Sequence, residues 1–157
     1  MGTNYYLERI PTKEEIEQCH KLLDEGKIED SDVFKEEYGT PYLLAVLEKI
    51  TEEIHIGKKS GGWRFLFQIH QKLYGKSIES CLDFLESQIK TGKWRLMDEY
   101  GETITIVDFE KMVRESLDQM TIEDYYEMYP EEKYRDTFAP PQEVAEDGSR
   151  WWDVEFS

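Results

Sequence analysis

Two kinds of spacing divide the chain. At Trp63, Phe65, Phe67 and Ile69 large apolar residues take every second position, with Arg64, Leu66, Gln68 and His70 on the other side. Period two over this stretch predicts a half-buried strand, and the mixed second face predicts partial cover by a helix. Ile54-His55-Ile56 alternates just upstream, and Gly57-Lys58-Lys59-Ser60-Gly61-Gly62 reads as the turn that joins the two. Residues 4–10, rich in aromatics and stopped by Pro11, predict a first strand. Residues 93–97 predict another, which Asp98-Glu99-Tyr100-Gly101 turns back along 102–104. Residues 151–156 predict the last, with Trp152, Val154 and Phe156 on its packed face.

Elsewhere the spacing is helical. Thr12 and Glu15 form a capping box ahead of a stripe of Ile16, Cys19, His20 and Leu23, with Gly26 closing the helix. Residues 27–39 fit a short helix or an ordered loop. Thr40-Pro41 opens a helix carrying Leu43, Val46, Leu47 and Ile50. Ile78, Cys81, Leu82, Leu85 and Ile89 make the next, ended by Gly92. Thr105 caps a helix that buries Ile106, Phe109, Met112 and Val113, and Thr121 with Asp124 caps a short one ending before Pro130. Strands in hairpins and at both ends, with helices between, predict an α+β fold. The expectation is an antiparallel sheet of about four to six strands with helices on one face. The length of 157 residues fits a single domain, 1–157.

Composition narrows the function. The chain holds 35 acidic and 19 basic side chains, a net charge of −16. Residues 121–157 hold 11 acidic and 3 basic ones, a net −8, and eight of the 21 aromatics. This is an acidic, aromatic-rich segment expected to lie against the rest of the domain. Such a charge argues against direct binding of nucleic acid, which needs a basic patch, and against an anionic membrane surface. No apolar run approaches the roughly 20 residues that span a bilayer, and no secretory signal is visible. The two cysteines, Cys19 and Cys81, read as buried thiols in a cytosolic protein. No phosphate-loop, dinucleotide, nucleophile-elbow or zinc-protease motif occurs, so neither a catalytic centre nor a cofactor is expected. A structural metal is not expected either, since the histidines and cysteines lack metal-ligand spacing. Asp98 and Glu99 are the carboxylate pair to watch, at a hairpin tip.

Two sets of residues carry binding chemistry. Glu123, Asp124, Glu127, Glu131, Glu132 and Asp136 stand among Tyr126 and Tyr129, so that tyrosines anchor and carboxylates steer a basic partner. Lys58, Lys59, Ser60 and Arg64 offer a basic loop to an anionic ligand or nucleotide.

Four segments occur in an order that resembles a family of small uncharacterised bacteriophage and prophage proteins. They are Met1-Gly2-Thr3-Asn4-Tyr5-Tyr6-Leu7; His55-Ile56-Gly57-Lys58-Lys59-Ser60 with Gly62-Trp63; Asp98-Glu99-Tyr100-Gly101; and Asp153 with Glu155-Phe156-Ser157. Members of that family commonly carry a C-x-x-C pair before the histidine-containing strand, which implies a zinc knuckle. This chain has two capped helices there and Cys19 alone, so His55 reads as a strand residue. The resemblance implies a phage protein working in the cytoplasm of its bacterial host. The expected function is an acidic module that binds a host protein with a basic surface, in its sharp form an inhibitor of an anti-CRISPR or anti-restriction kind. The alternatives are a protein binding a small anion or nucleotide through residues 57–64, and an accessory structural protein forming a homodimer by strand addition.

Overall fold

The structure, a computed structural model, describes residues 2–24, 52–131 and 142–153. The fold is α+β. Among the described residues, six strands form one sheet and four helices accompany it. The strands are β1 (Gly2–Arg9), β2 (Glu53–Ser60), β3 (Leu66–Gln68), β4 (Trp94–Asp98), β5 (Glu143–Val144) and β6 (Arg150–Trp152), in the spatial order β4-β1-β2-β3-β6-β5. The helices are α1 (Lys13–Asp24), α2 (Ile78–Lys90), α3 (Ile106–Ser116) and α4 (Ile122–Met128). No helix among the described residues is long and apolar enough to cross a membrane.

One face of the sheet carries the core. Leu7, Ile56, Phe67, Leu96 and Trp151 from five strands meet Ile78, Cys81, Leu82 and Leu85 of α2 and Phe109 and Val113 of α3 in a single buried cluster. The helices form where the spacing places them, and their caps are in place. The Thr12 hydroxyl accepts from Glu15 N, and Glu15 returns the bond to Thr12 N. Ser77 and Thr105 accept from Ser80 N and Asp108 N. Thr121 and Asp124 complete a full capping box. Gly92 and Gly101 have φ of 73° and 85°, the left-handed conformation that a helix end and a bulged turn require.

Several expectations are corrected. Residues 57–60 are strand, not turn, because β2 runs on to pair with the first residues of β1: Lys58 faces Asn4 and Ser60 faces Gly2. Ile56 is the extra residue of a bulge, since Tyr5 pairs with Gly57 but Tyr6 with His55. Trp63 lies outside β3 and instead bridges to Met120. The sheet is mixed, because β6 pairs parallel with β3. In that register Trp151 sits opposite Phe67, so Trp151 is the tryptophan the core takes, fully buried and stacked on Phe67 at 4.5 Å. Trp152, expected on the packed face, is half-buried. His20, placed on the apolar stripe of α1, is exposed. The helix expected after Thr40-Pro41, the segment 27–39, the side chains of Cys19 and Leu23, and Val154 and Phe156 lie outside the described residues.

Candidate anion cavity and acidic helix

The loop after β2 is tied down along its length. Met120 N donates to Gly62 O, Arg64 N to Met120 O, and Phe65 N to the buried Ser116 hydroxyl at 2.9 Å. These bonds fasten the loop to the end of α3 and the connection into α4. They also account for Ser116, a polar residue in the core whose hydroxyl would be costly to leave unpaired. A cavity of about 100 Å³ opens between this loop, the start of α4 and β6. Lys58 and Ser60 line it from β2, Arg64 from the loop, Thr121 from the cap of α4, and Arg150 from β6. Trp63, Leu66, Met120 and Ile122 make its apolar walls.

Of the four residues expected to bind an anion, the structure brings Lys58, Ser60 and Arg64 to this cavity. Lys59 is directed elsewhere: its ammonium donates to Ser60 O at 2.6 Å and to Gln119 Oε1 at 2.7 Å, and burial lowers its pKa. Arg64 Nε donates to Gln119 O and its Nη1 to Gly148 O at 3.1 Å. Arg150 was missed in the sequence. It is 9% exposed; its Nη1 donates to the Glu123 carboxylate at 2.9 Å, and its Nε has no hydrogen-bond partner among the described residues. The available signal was a lone arginine beside Trp151 in a segment with only three basic side chains.

The candidate partner surface divides. Glu123 and Asp124 have structural work. Burial pushes the Glu123 carboxyl up, but the hydrogen bond from Arg150 and its neighbours' contributions bring it below its ordinary value. The backbone and hydroxyl of Thr121 lower that of Asp124, with help from the charges of Arg64 and Arg150. Tyr126 is half-buried, and its ring meets Tyr125, which packs on Trp63 at 5.4 Å. Glu127, Tyr129 and Glu131 are exposed, with Met128 between them. Glu132 and Asp136 lie outside the described residues.

Two other clusters are structural. At the α2 N-terminus a hollow of about 350 Å³ is lined by charges of both signs, and Asp147 there accepts from Ile78 N at 2.7 Å. At the hairpin tip, Asp98 Oδ1 accepts from Tyr100 N and Glu102 N, which closes the turn. Glu99 accepts from Asn4 N at 3.1 Å and Asn4 Nδ2 at 3.3 Å, and Asn4 Oδ1 accepts from His55 Nε2 at 3.1 Å. Among the described residues no group of three or more His, Cys, Asp or Glu is placed to hold a metal ion.

Comparison of the chain with protein-family models, with curated proteins and with solved structures found no match.

Proposed function

We propose that this chain is an acidic protein-binding module of bacteriophage or prophage origin, acting in the cytoplasm of the bacterial host. Its target is a basic, nucleic-acid-binding surface of a host protein, and its sharpest form is inhibition of a host defence nuclease. The observation that carries the reading is the end of α4. Met128 and Tyr129, 57% and 47% exposed, stand beside the exposed carboxylates Glu127 and Glu131. Apolar anchors ringed by charge of one sign suit a partner of the opposite sign. The helix under them is braced by its capping box, by Tyr125 on Trp63 and by Glu123 on Arg150. A braced helix presents its side chains at little ordering cost on binding.

The reading is tested by capture from bacterial lysate. The partner should be a nucleic-acid-binding protein, displaced by double-stranded DNA and by rising salt. Glu127→Lys with Glu131→Lys should abolish its capture while leaving the fold intact. A partner indifferent to DNA, or one kept by the charge-reversed variant, would defeat the proposal.

A further inference from the structure

The charge lining the cavity under α4 runs against the rest of the molecule. Acidic side chains outnumber basic ones 35 to 19 along the chain, yet among the described residues every ionisable group lining this cavity is a cation: Lys58, Arg64 and Arg150. They come from β2, from the following loop and from β6, so they converge from three walls. Together they give the cavity a positive potential, which favours an anion there. Glu123 and Asp124 stand near Arg150, but neither lines the cavity, and each is committed, Glu123 to Arg150 Nη1 and Asp124 to the helix cap. Arg150 Nε, buried and with no partner among the described residues, is a charged donor still lacking an acceptor. Ser60 and Thr121 add hydroxyls to the lining.

We infer that this cavity binds a phosphate group, either free or as the monoester of a small molecule. Size and chemistry select it. The cavity, about 100 Å³ and open to solvent, has room for a tetrahedral oxyanion. A phosphate group offers several oxygens to donors arriving from separate walls, whereas a carboxylate offers two in one plane. The monoester's remaining group would lie toward Trp63, which gives an aromatic ester a stacking surface.

The site is separable from the acidic end of α4, and the experiment needs no partner protein. The intact protein, labelled with ¹⁵N, is titrated with inorganic phosphate, phenyl phosphate and acetate at constant ionic strength. The two phosphates should shift the amides of Lys58, Ser60, Arg64, Thr121 and Arg150, and acetate should leave them in place. Tighter binding of phenyl phosphate identifies the monoester, and equal binding identifies free phosphate. Lys58→Glu should weaken phosphate binding about ten-fold or more, the loss expected when a charge-assisted contact becomes a repulsion. Lys111→Glu, which changes the net charge equally on an exposed face of α3, should leave it within about two-fold. Both variants are checked for an unchanged amide spectrum elsewhere. Shifts outside the cavity, equal binding of acetate, no binding, or equal losses in the two variants would each overturn the inference.

Discussion

Gly57 is the residue whose replacement tests the packing of the sheet most sharply. A Cβ at this position would lie 2.4 Å from the Leu66 carbonyl oxygen and 2.4 Å and 2.8 Å from two carbons of the Phe65 ring. Carbon contacts are comfortable at about 3.5–4.0 Å, so the overlap exceeds an ångström on two sides. Neither obstacle can yield cheaply. Leu66 belongs to β3 and pairs with Lys58, next to Gly57 itself. The Phe65 ring is buried between Phe67, 4.7 Å away, and Phe109, 5.4 Å away. Gly57→Ala should therefore fall near the top of the overpacking range, about 2–3 kcal/mol. In a domain of this size that lowers the melting midpoint by about 4–12 °C. Gly61→Ala is the control, because nothing lies within 4 Å of a Cβ there. It should be neutral or slightly stabilising, since alanine restricts the unfolded chain. Thermal and urea unfolding of both variants, with Phe65→Leu and the double variant, measures the coupling. The smaller leucine should recover about 1 kcal/mol of the Gly57→Ala loss. A Gly57→Ala protein melting within about 1 °C of the parent would refute the reasoning, as would strict additivity with Phe65→Leu.

Three further outcomes are expected. Trp151→Ala should cost about 3–5 kcal/mol in urea unfolding, well above Trp152→Ala, because Trp151 alone is fully enclosed against Phe67; equal losses would put the wrong tryptophan in the core. The hydrogen bond from Arg9 holds the Glu15 carboxyl at about 2, against an ordinary 4.5. Its folded value is depressed, so its contribution to stability is present above about pH 4.5 and is lost as pH falls toward 2. Arg9→Gln should raise the Glu15 titration seen by carboxyl ¹³C NMR and flatten that limb of the pH–stability curve. Burial pushes the Cys81 thiol up, so in a Cys19→Ser background it should resist alkylation in the native protein and react freely in urea.

Local signals in the sequence located most elements because local chemistry makes them. A hydroxyl three residues ahead of an acid, as at Thr12, Thr105 and Thr121, satisfies helix N–H groups wherever the helix packs. What local signals could not convey was pairing. Gly57 looked like a turn glycine, yet it is a strand residue that leaves room for the Phe65 ring, a fact that depends on β3 lying beside β2. Alternation put Trp152 on the packed face; the parallel register with β3 gives that place to Trp151. The cavity was half legible for the same reason. Lys58, Ser60 and Arg64 are close in sequence, but Arg150 reaches them only because β6 adds to the sheet beside β3.

The segments that suggested a phage family have a physical reading that needs no reaction. Three of them meet at Asn4, which is 3% exposed on β1, between β4 and β2. Its backbone N–H and side-chain amide donate to the Glu99 carboxylate beyond β4, and its side-chain oxygen accepts from His55 on β2. Its carbonyl accepts from Glu99 N, and the next residue but one, Tyr6, places its ring 5.0 Å from that of His55. A buried asparagine with all its groups paired is costly to misplace, because a slip of one residue would turn it to the other face and leave the carboxylate and the imidazole without it. Glu99 and His55 thus fix the register of β4-β1-β2 at the point where the bulge at Ile56 would otherwise let it slide. Residue types that recur together in order can mark such a lock as readily as a catalytic centre. In this chain the asparagine, histidine and glutamate hold the sheet.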